Sequence, residues 1–197
     1  TIAFTRWFCT QRFTIKYSSI LMIKIKRNFF DNDLIDSLSS LAIKSYKSNK
    51  LRTNFSSWKD GIVQYSTAVL IYDITRDHEI YKKLAEKFDT EDYNFTFQYW
   101  TQGSYIPWHD DGYAAETGTV YLNKKWNLDW GGLFMWMDDS SKKIYAEKPE
   151  YNKLIFLSGN INDHSTTPVI RPLYEDSGQI MRTTLQFFSE KKRGKVY

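Results

Sequence analysis

The apolar and polar positions of this chain follow two different periods. In the first thirty residues they alternate, as in Phe13-Thr14-Ile15-Lys16-Tyr17 and Met22-Ile23-Lys24-Ile25-Lys26. Alternation with β-branched residues predicts strands with one buried face. The period then lengthens. Asp31-Asn32-Asp33 offers capping oxygens to a helix carrying Leu34, Leu38, Leu41 and Ile43 and ending near Ser48-Asn49-Lys50. A second helix is predicted over 77–88, where Ile80, Leu84 and Phe88 recur every four residues. From about Asn94 onward alternation returns in short runs. Phe95, Phe97 and Tyr99 form one stripe, and further strands are expected over 117–123, 133–137, 153–157 and 179–188. Gly103, Gly112, Gly118, Gly131-Gly132, Gly159 and Gly178 fall between or beside these runs as turn candidates. Many short strands after two helices predict a mainly β fold, a sandwich or barrel with the helices packed outside it.

Composition narrows this reading. At 197 residues the chain suits one domain, with N-terminal strands and helices over about 1–92 and a β core over about 93–190. Seven tryptophans and 17% aromatic residues are incompatible with disorder. The net charge of +4 is mild and owes part of its size to the basic run 191–195, which reads as a solvated tail. The single Cys9 rules out an intramolecular disulfide and a cysteine-built zinc cage. No apolar run is long enough to span a bilayer, and no cleavage site follows an apolar leader, which points to a cytoplasmic protein without a membrane partner. The chain begins at Thr1 rather than Met, so a removed leader stays open.

Chemistry concentrates around two of the three histidines. In an extended strand His109 and Asp111 share a face, while Asp110 points away. A carboxylate on a buried face is uncommon unless it is paired or bound to a cation. His164 follows a predicted strand and the turn Ser158-Gly159-Asn160, a suitable place from which to deliver another ligand. The third histidine, His78, sits among Arg76, Asp77 and Glu79 and reads as a solvated helix-end residue. Two imidazoles and one carboxylate would serve zinc with a catalytic water or Fe(II) with open positions. Arg182 favours iron. On its strand it shares a face with Thr184, Gln186 and Phe188, and an inward guanidinium must be paired. A metal-chelating dicarboxylate would pair it, and so would an ordinary salt bridge.

The segment from Tyr99 to Phe188 resembles the Fe(II)- and 2-oxoglutarate-dependent oxygenases, in particular their prolyl 4-hydroxylase-like branch. The matching residues are Tyr99-x3-Gly103-x4-Trp108-His109-x-Asp111, Tyr121-Leu122-Asn123-x2-Trp126-x4-Gly131-Gly132, His164-x3-Pro168-Val169 and Arg182-x-Thr184. The resemblance implies a double-stranded β-helix, the cupin-like jelly roll. It implies Fe(II) on His109, Asp111 and His164, and 2-oxoglutarate held by Arg182 with Tyr121, Thr184 and Tyr99 beside it. Dioxygen would be the oxidant and ascorbate a supporting reductant. Phe188 stands where these enzymes often carry a tryptophan near substrate, and Trp108 is a second substrate candidate. An intact Asp111 argues against halogenase chemistry.

One feature departs from the family pattern. His164 and Arg182 lie eighteen positions apart, wider than is usual, which leaves Arg171 as a rival carboxylate partner. Arg182 is preferred because it sits in a strand and keeps the R-x-T pattern. The implied activity is hydroxylation of a prolyl residue in a peptide or protein, with release of succinate and carbon dioxide. Trp108, Tyr113, Trp126, Trp130 and Trp136 would line a peptide groove or simply pack. A free amino acid or other small molecule is the alternative substrate, and a non-catalytic metal- or sugar-binding jelly roll the alternative class. No basic stripe is coupled to a base-stacking platform, so a nucleic-acid partner is not expected. Oligomeric state is not encoded in any motif.

Overall fold

A computed structural model describes residues 22–53, 69–90, 92–109, 114–138, 141–158, 163–170 and 181–190. The expected strand at 13–17, Cys9, Asp110, Asp111, Tyr113, Arg171 and the basic tail 191–195 lie outside the described residues.

Two antiparallel sheets face each other. Seven strands form the larger one in the order β1-β9-β6-β11-β4-β3-β2, and four form the smaller one in the order β5-β10-β7-β8. In chain order these are β1 Met22–Lys26, β2 Arg52–Thr53, β3 Val69–Ile74, β4 Asn94–Trp100, β5 Ile106–His109, β6 Ala114–Tyr121, β7 Phe134–Met137, β8 Ile144–Glu147, β9 Leu154–Ser158, β10 His164–Thr166 and β11 Arg182–Glu190. The fold is mainly β with flanking helices, as expected. The early strand β1 pairs with β9 and so belongs to the same sheet as the C-terminal strands.

Helices α1 (Asn32–Tyr46) and α2 (Glu79–Phe88) cover the outer face of the larger sheet. Asp31 caps α1, its side chain accepting from Leu34 N at 2.8 Å. The second helix starts later than the apolar pattern predicts because His78 is its cap. His78 Nδ1 accepts from Ile80 N at 3.1 Å, which gives this histidine a structural task. Ile35, Leu38, Ile80, Leu84 and Phe88 from the helices meet Phe95, Phe97, Phe156, Leu185 and Phe187 from the sheet. Each fully buried side chain of this kind contributes about 1.5–3 kcal/mol. Gly118, expected beside a turn, lies inside β6. There the Phe187 ring covers it so closely that a Cβ would stand 2.1 Å from Cζ.

The helices take one face of β4, β6, β9 and β11. The alternate residues of those strands therefore point between the sheets, and strand parity decides which side chains reach the site.

Candidate metal and anion site between the sheets

His109 ends β5 and His164 opens β10. The two are direct cross-strand partners, so their side chains leave the smaller sheet on one face. Their ring centroids are 4.3 Å apart and the planes are tilted by 51°. His109 Nδ1 lies 2.8 Å from the Pro107 carbonyl oxygen. Donation from Nδ1 fixes the tautomer that carries its lone pair on Nε2, the usual arrangement for a ligating imidazole. His164 is buried, with the Phe134 ring 5.5 Å away. The structure brings the two histidines together, with His164 at the start of a short strand of its own in the smaller sheet.

Arg182 lies between the sheets and is 1% exposed, yet its Nε and Nη1 have no hydrogen-bond partner. The adjacent Tyr121 hydroxyl is also buried without one. Burial pulls the arginine pKa down and pushes the Tyr121 phenol up, and in each case the neighbour partly opposes the shift. The guanidinium sits 4.4 Å from the Trp100 ring centroid and 5.2 Å from that of Tyr121. Cation–π contacts contribute about 0.5–2 kcal/mol each. Removing a guanidinium from water costs several kcal/mol, so the rings alone do not balance it. An anion that accepts from Arg182 and Tyr121 would. Thr184 is beside them, fully buried, accepting a long hydrogen bond from Trp100 Nε1 at 3.4 Å.

The motif residues around this pair prove to be its scaffold. Asn123 donates from Nδ2 to the Met181 carbonyl at 2.7 Å and accepts from Thr183 N at 2.7 Å, clasping the chain on both sides of Arg182. Trp126 Nε1 donates to the Gly131 carbonyl at 3.0 Å. Gly131 has φ +67° and bridges Val169, and a Cβ there would meet the Pro168 carbonyl oxygen at 2.1 Å. Gly103 N and Val169 N complete the tie by donating to Val169 O and Ser104 O at 2.8 and 3.0 Å. The Gly-Gly pair therefore exists to let β10's exit approach the Arg182 floor.

Not every expected residue belongs here. Tyr99 faces the helices: its hydroxyl donates to the Ala42 carbonyl at 2.7 Å and its ring packs against Tyr46. It does not line the Arg182 pocket, because it lies one residue out of phase. Its neighbour Trp100, the cross-strand partner of Arg182, holds that place. The parity of β4 relative to β11 would have revealed this, had the register been known. Phe188 does share the Arg182 face, six residues along β11 and therefore about 20 Å away. Trp108 alternates with His109 and is 39% exposed, at the rim rather than inside. Trp126 and Trp130 pack edge to face beside the Gly-Gly turn. Among the described residues no three His, Cys, Asp or Glu side chains form a metal-binding group. The expected third ligand, Asp111, lies outside them.

No protein-family model and no curated protein sequence matches the chain. Solved structures do. A prolyl-4-hydroxylase from Pseudomonas putida superposes with a TM-score of 0.69 at 16% identity, over 87% of this chain and 93% of that one. A Trichoplax adhaerens prolyl hydroxylase, solved with a hypoxia inducible factor peptide fragment, gives 0.67 at 18% identity over 85% and 83%. A viral collagen prolyl hydroxylase from Paramecium Bursaria Chlorella virus-1, in complex with 2-oxoglutarate (2OG), gives 0.54 at 16% identity over 84% and 94%. This chain shares their jelly-roll fold.

Proposed function

We propose that the protein is an Fe(II)- and 2-oxoglutarate-dependent dioxygenase that hydroxylates prolyl residues in a peptide or protein. The observation that carries this reading is the buried Arg182–Tyr121 pair with its unpartnered nitrogens and hydroxyl, joined to the paired His109 and His164 through Phe134, which packs with both Tyr121 and His164. The likeness of the fold to prolyl hydroxylases supports the reaction class, and the Trichoplax complex supports a peptide as substrate.

The donor types suit the groups they would hold: imidazoles and a carboxylate for a metal, a guanidinium and a phenol for a carboxylate. His109, His164 and Asp111 would bind Fe(II), and Arg182 with Tyr121 would take the distal carboxylate of 2-oxoglutarate. When bound, the iron supplies the redox chemistry in which dioxygen converts 2-oxoglutarate to succinate and carbon dioxide while the substrate gains a hydroxyl. The chain itself supplies position. The Pro107 carbonyl orients the His109 ring. Trp100 and Tyr121 hold the guanidinium in a dry site, where its hydrogen bonds to a carboxylate are stronger than in water. Phe134, Ile155 and Leu157 close the interior below.

Succinate release from 2-oxoglutarate with Fe(II), followed by a peptide screen read by mass for one added oxygen, tests the proposal. Turnover in wild type that is lost in Asp111→Ala supports the ligand set. Turnover undiminished in that variant removes Asp111 from it. Robust turnover with proline peptides that never gain oxygen would move the substrate to a free amino acid or another small molecule.

A further inference from the structure

The two sheets end in β1, β2, β5 and β8, and the first three carry devices against edge-to-edge pairing. β5 contains Pro107, which has no N–H to offer, and a register shift against β10. β2 is two residues long, and β1 carries Lys24 and Lys26. β8 has none of these. Its register with β7 runs unbroken from Phe134↔Glu147 to Met137↔Ile144, and it contains no proline. Two of its apolar side chains, Ile144 and Tyr145, are 60% and 43% exposed.

The hydrogen bonds of β7 decide which main-chain groups β8 leaves open. Toward β10, Met137 N donates to Asp163 O at 3.3 Å and Thr167 N donates to Leu133 O at 2.9 Å, so the odd-numbered residues face that neighbour. Toward β8, Asp138 N donates to Lys143 O at 2.9 Å, so the even-numbered residues of β7 face β8. Alternation then assigns the main-chain groups of Lys143, Tyr145 and Glu147 to β7. Those of Ile144 and Ala146 point outward along the free edge.

A second β8 strand, antiparallel to the first, satisfies these groups only in registers that set outward residues against each other. Setting Ile144 against itself, or Ala146 against itself, engages the strand at one end. Setting Ile144 against Ala146 engages both outward residues of each copy, as two hydrogen-bonded pairs with two N–H···O bonds each. That register also matches charge, because Lys143 of each copy then stands opposite Glu147 of the other. Glu147 uses Oε2 for Lys153, which leaves Oε1 for this lysine. Tyr145 falls opposite Tyr145 on the two-fold axis, as a pair with Cα atoms about 4.5 Å apart. One face of its ring is stacked on Trp136, with centroids 5.4 Å apart, and the other meets the second ring. We propose that β8 is a dimerisation edge, on which a second copy of this chain pairs in that register to make one eight-stranded sheet from two smaller sheets.

Sedimentation equilibrium on the full chain tests this without any ligand. Wild type is expected to show a monomer–dimer equilibrium with Kd on the order of 10–100 µM, as suits an interface smaller than the standard size. Ala146→Pro removes an outward N–H at an edge position that tolerates proline, so it is expected to keep the wild-type melting temperature and remain monomeric. Register is read separately, by oxidative cross-linking in a Cys9→Ser background. Tyr145→Cys is expected to give a disulfide-linked dimer, because only this position meets itself across the axis, while Ile144→Cys and Ala146→Cys are expected to give none. Wild type that stays monomeric up to several hundred micromolar overturns the proposal and leaves the edge to a strand of another protein. A dimer that persists in folded Ala146→Pro, or that cross-links through Ile144→Cys or Ala146→Cys instead of Tyr145→Cys, overturns it as well.

Discussion

Gly132 and Arg182 touch at the floor of the site: a Cβ built on Gly132 would stand 2.8 Å from Arg182 Cδ and 3.3 Å from Nε. The turn that carries Gly132, at φ +66°, is in turn pinned to Pro168 by a 3.1 Å hydrogen bond from Gly132 N. Gly132→Ala should therefore cost stability through the left-handed backbone, about 1–2 kcal/mol, and also displace the guanidinium. The expected outcome is a lowered melting temperature together with weaker 2-oxoglutarate binding, measured by calorimetry. A variant that is destabilised but binds normally would show that Arg182 has room to move.

Arg182 separates stability from function. Its charge is buried and incompletely paired, so Arg182→Met should leave the ligand-free protein as stable as wild type or more so. The same variant should lose the rise in melting temperature that 2-oxoglutarate with Fe(II) gives wild type. A large loss of stability without ligand would mean that the arginine is satisfied within the protein.

Tyr121 should act as a neutral donor. Burial raises its phenol pKa, with the Arg182 charge opposing, so the hydroxyl stays protonated throughout the neutral range. Tyr121→Phe should weaken 2-oxoglutarate binding roughly tenfold, the effect of about 1.5 kcal/mol for a hydrogen bond to a charged group. Because the group does not titrate there, the ratio of wild-type to variant affinity should be constant across neutral pH. A ratio that changes would indicate a phenolate.

A second charged cluster concerns stability alone. Lys153 is fully buried in β9's approach, with Nζ 2.7 Å from Glu147, 3.0 Å from Glu150 and 2.7 Å from the Lys148 carbonyl. For Glu150, burial acts against the charge, but hydrogen bonds from Lys153 and Arg27 outweigh it and hold the pKa below its usual value. A depressed carboxyl pKa contributes stability above the ordinary glutamate range, which is lost as pH falls through and below that range. Thermal melts should show Glu150→Gln flattening that acid limb. Lys153→Met should destabilise the protein at neutral pH, since it strips two carboxylates of their common partner.

Much of this was legible in the chain. Alternation located β4, β6, β7, β9 and β11, capping oxygens located the start of α1, and the four-residue apolar repeat located α2 without its cap, His78. Strand parity put Arg182 on one face with Thr184, and the motifs singled out His109 and His164 without showing that their strands pair. What escaped reading was set by register. β3 is an almost continuous apolar run and β8 an exposed one, so neither presents a clean half-buried alternation. Tyr99 and Trp100 are adjacent and both aromatic. Only the pairing of β4 with β11 tells which one meets Arg182, and that pairing is a long-range fact. Tyr145 carries no local signal at all, since its place beside Trp136 depends on how β7 and β8 align.

The central claim is that Arg182 and the His109–His164 pair form one site for a metal-chelated dicarboxylate. Anaerobic calorimetry of 2-oxoglutarate binding, with and without Fe(II), tests it most directly in wild type, His164→Ala and Arg182→Met. Binding that requires Fe(II) and is lost in both variants is the predicted result. Wild-type protein that fails to bind 2-oxoglutarate in the presence of Fe(II), or binds it equally well without metal and in both variants, would contradict it.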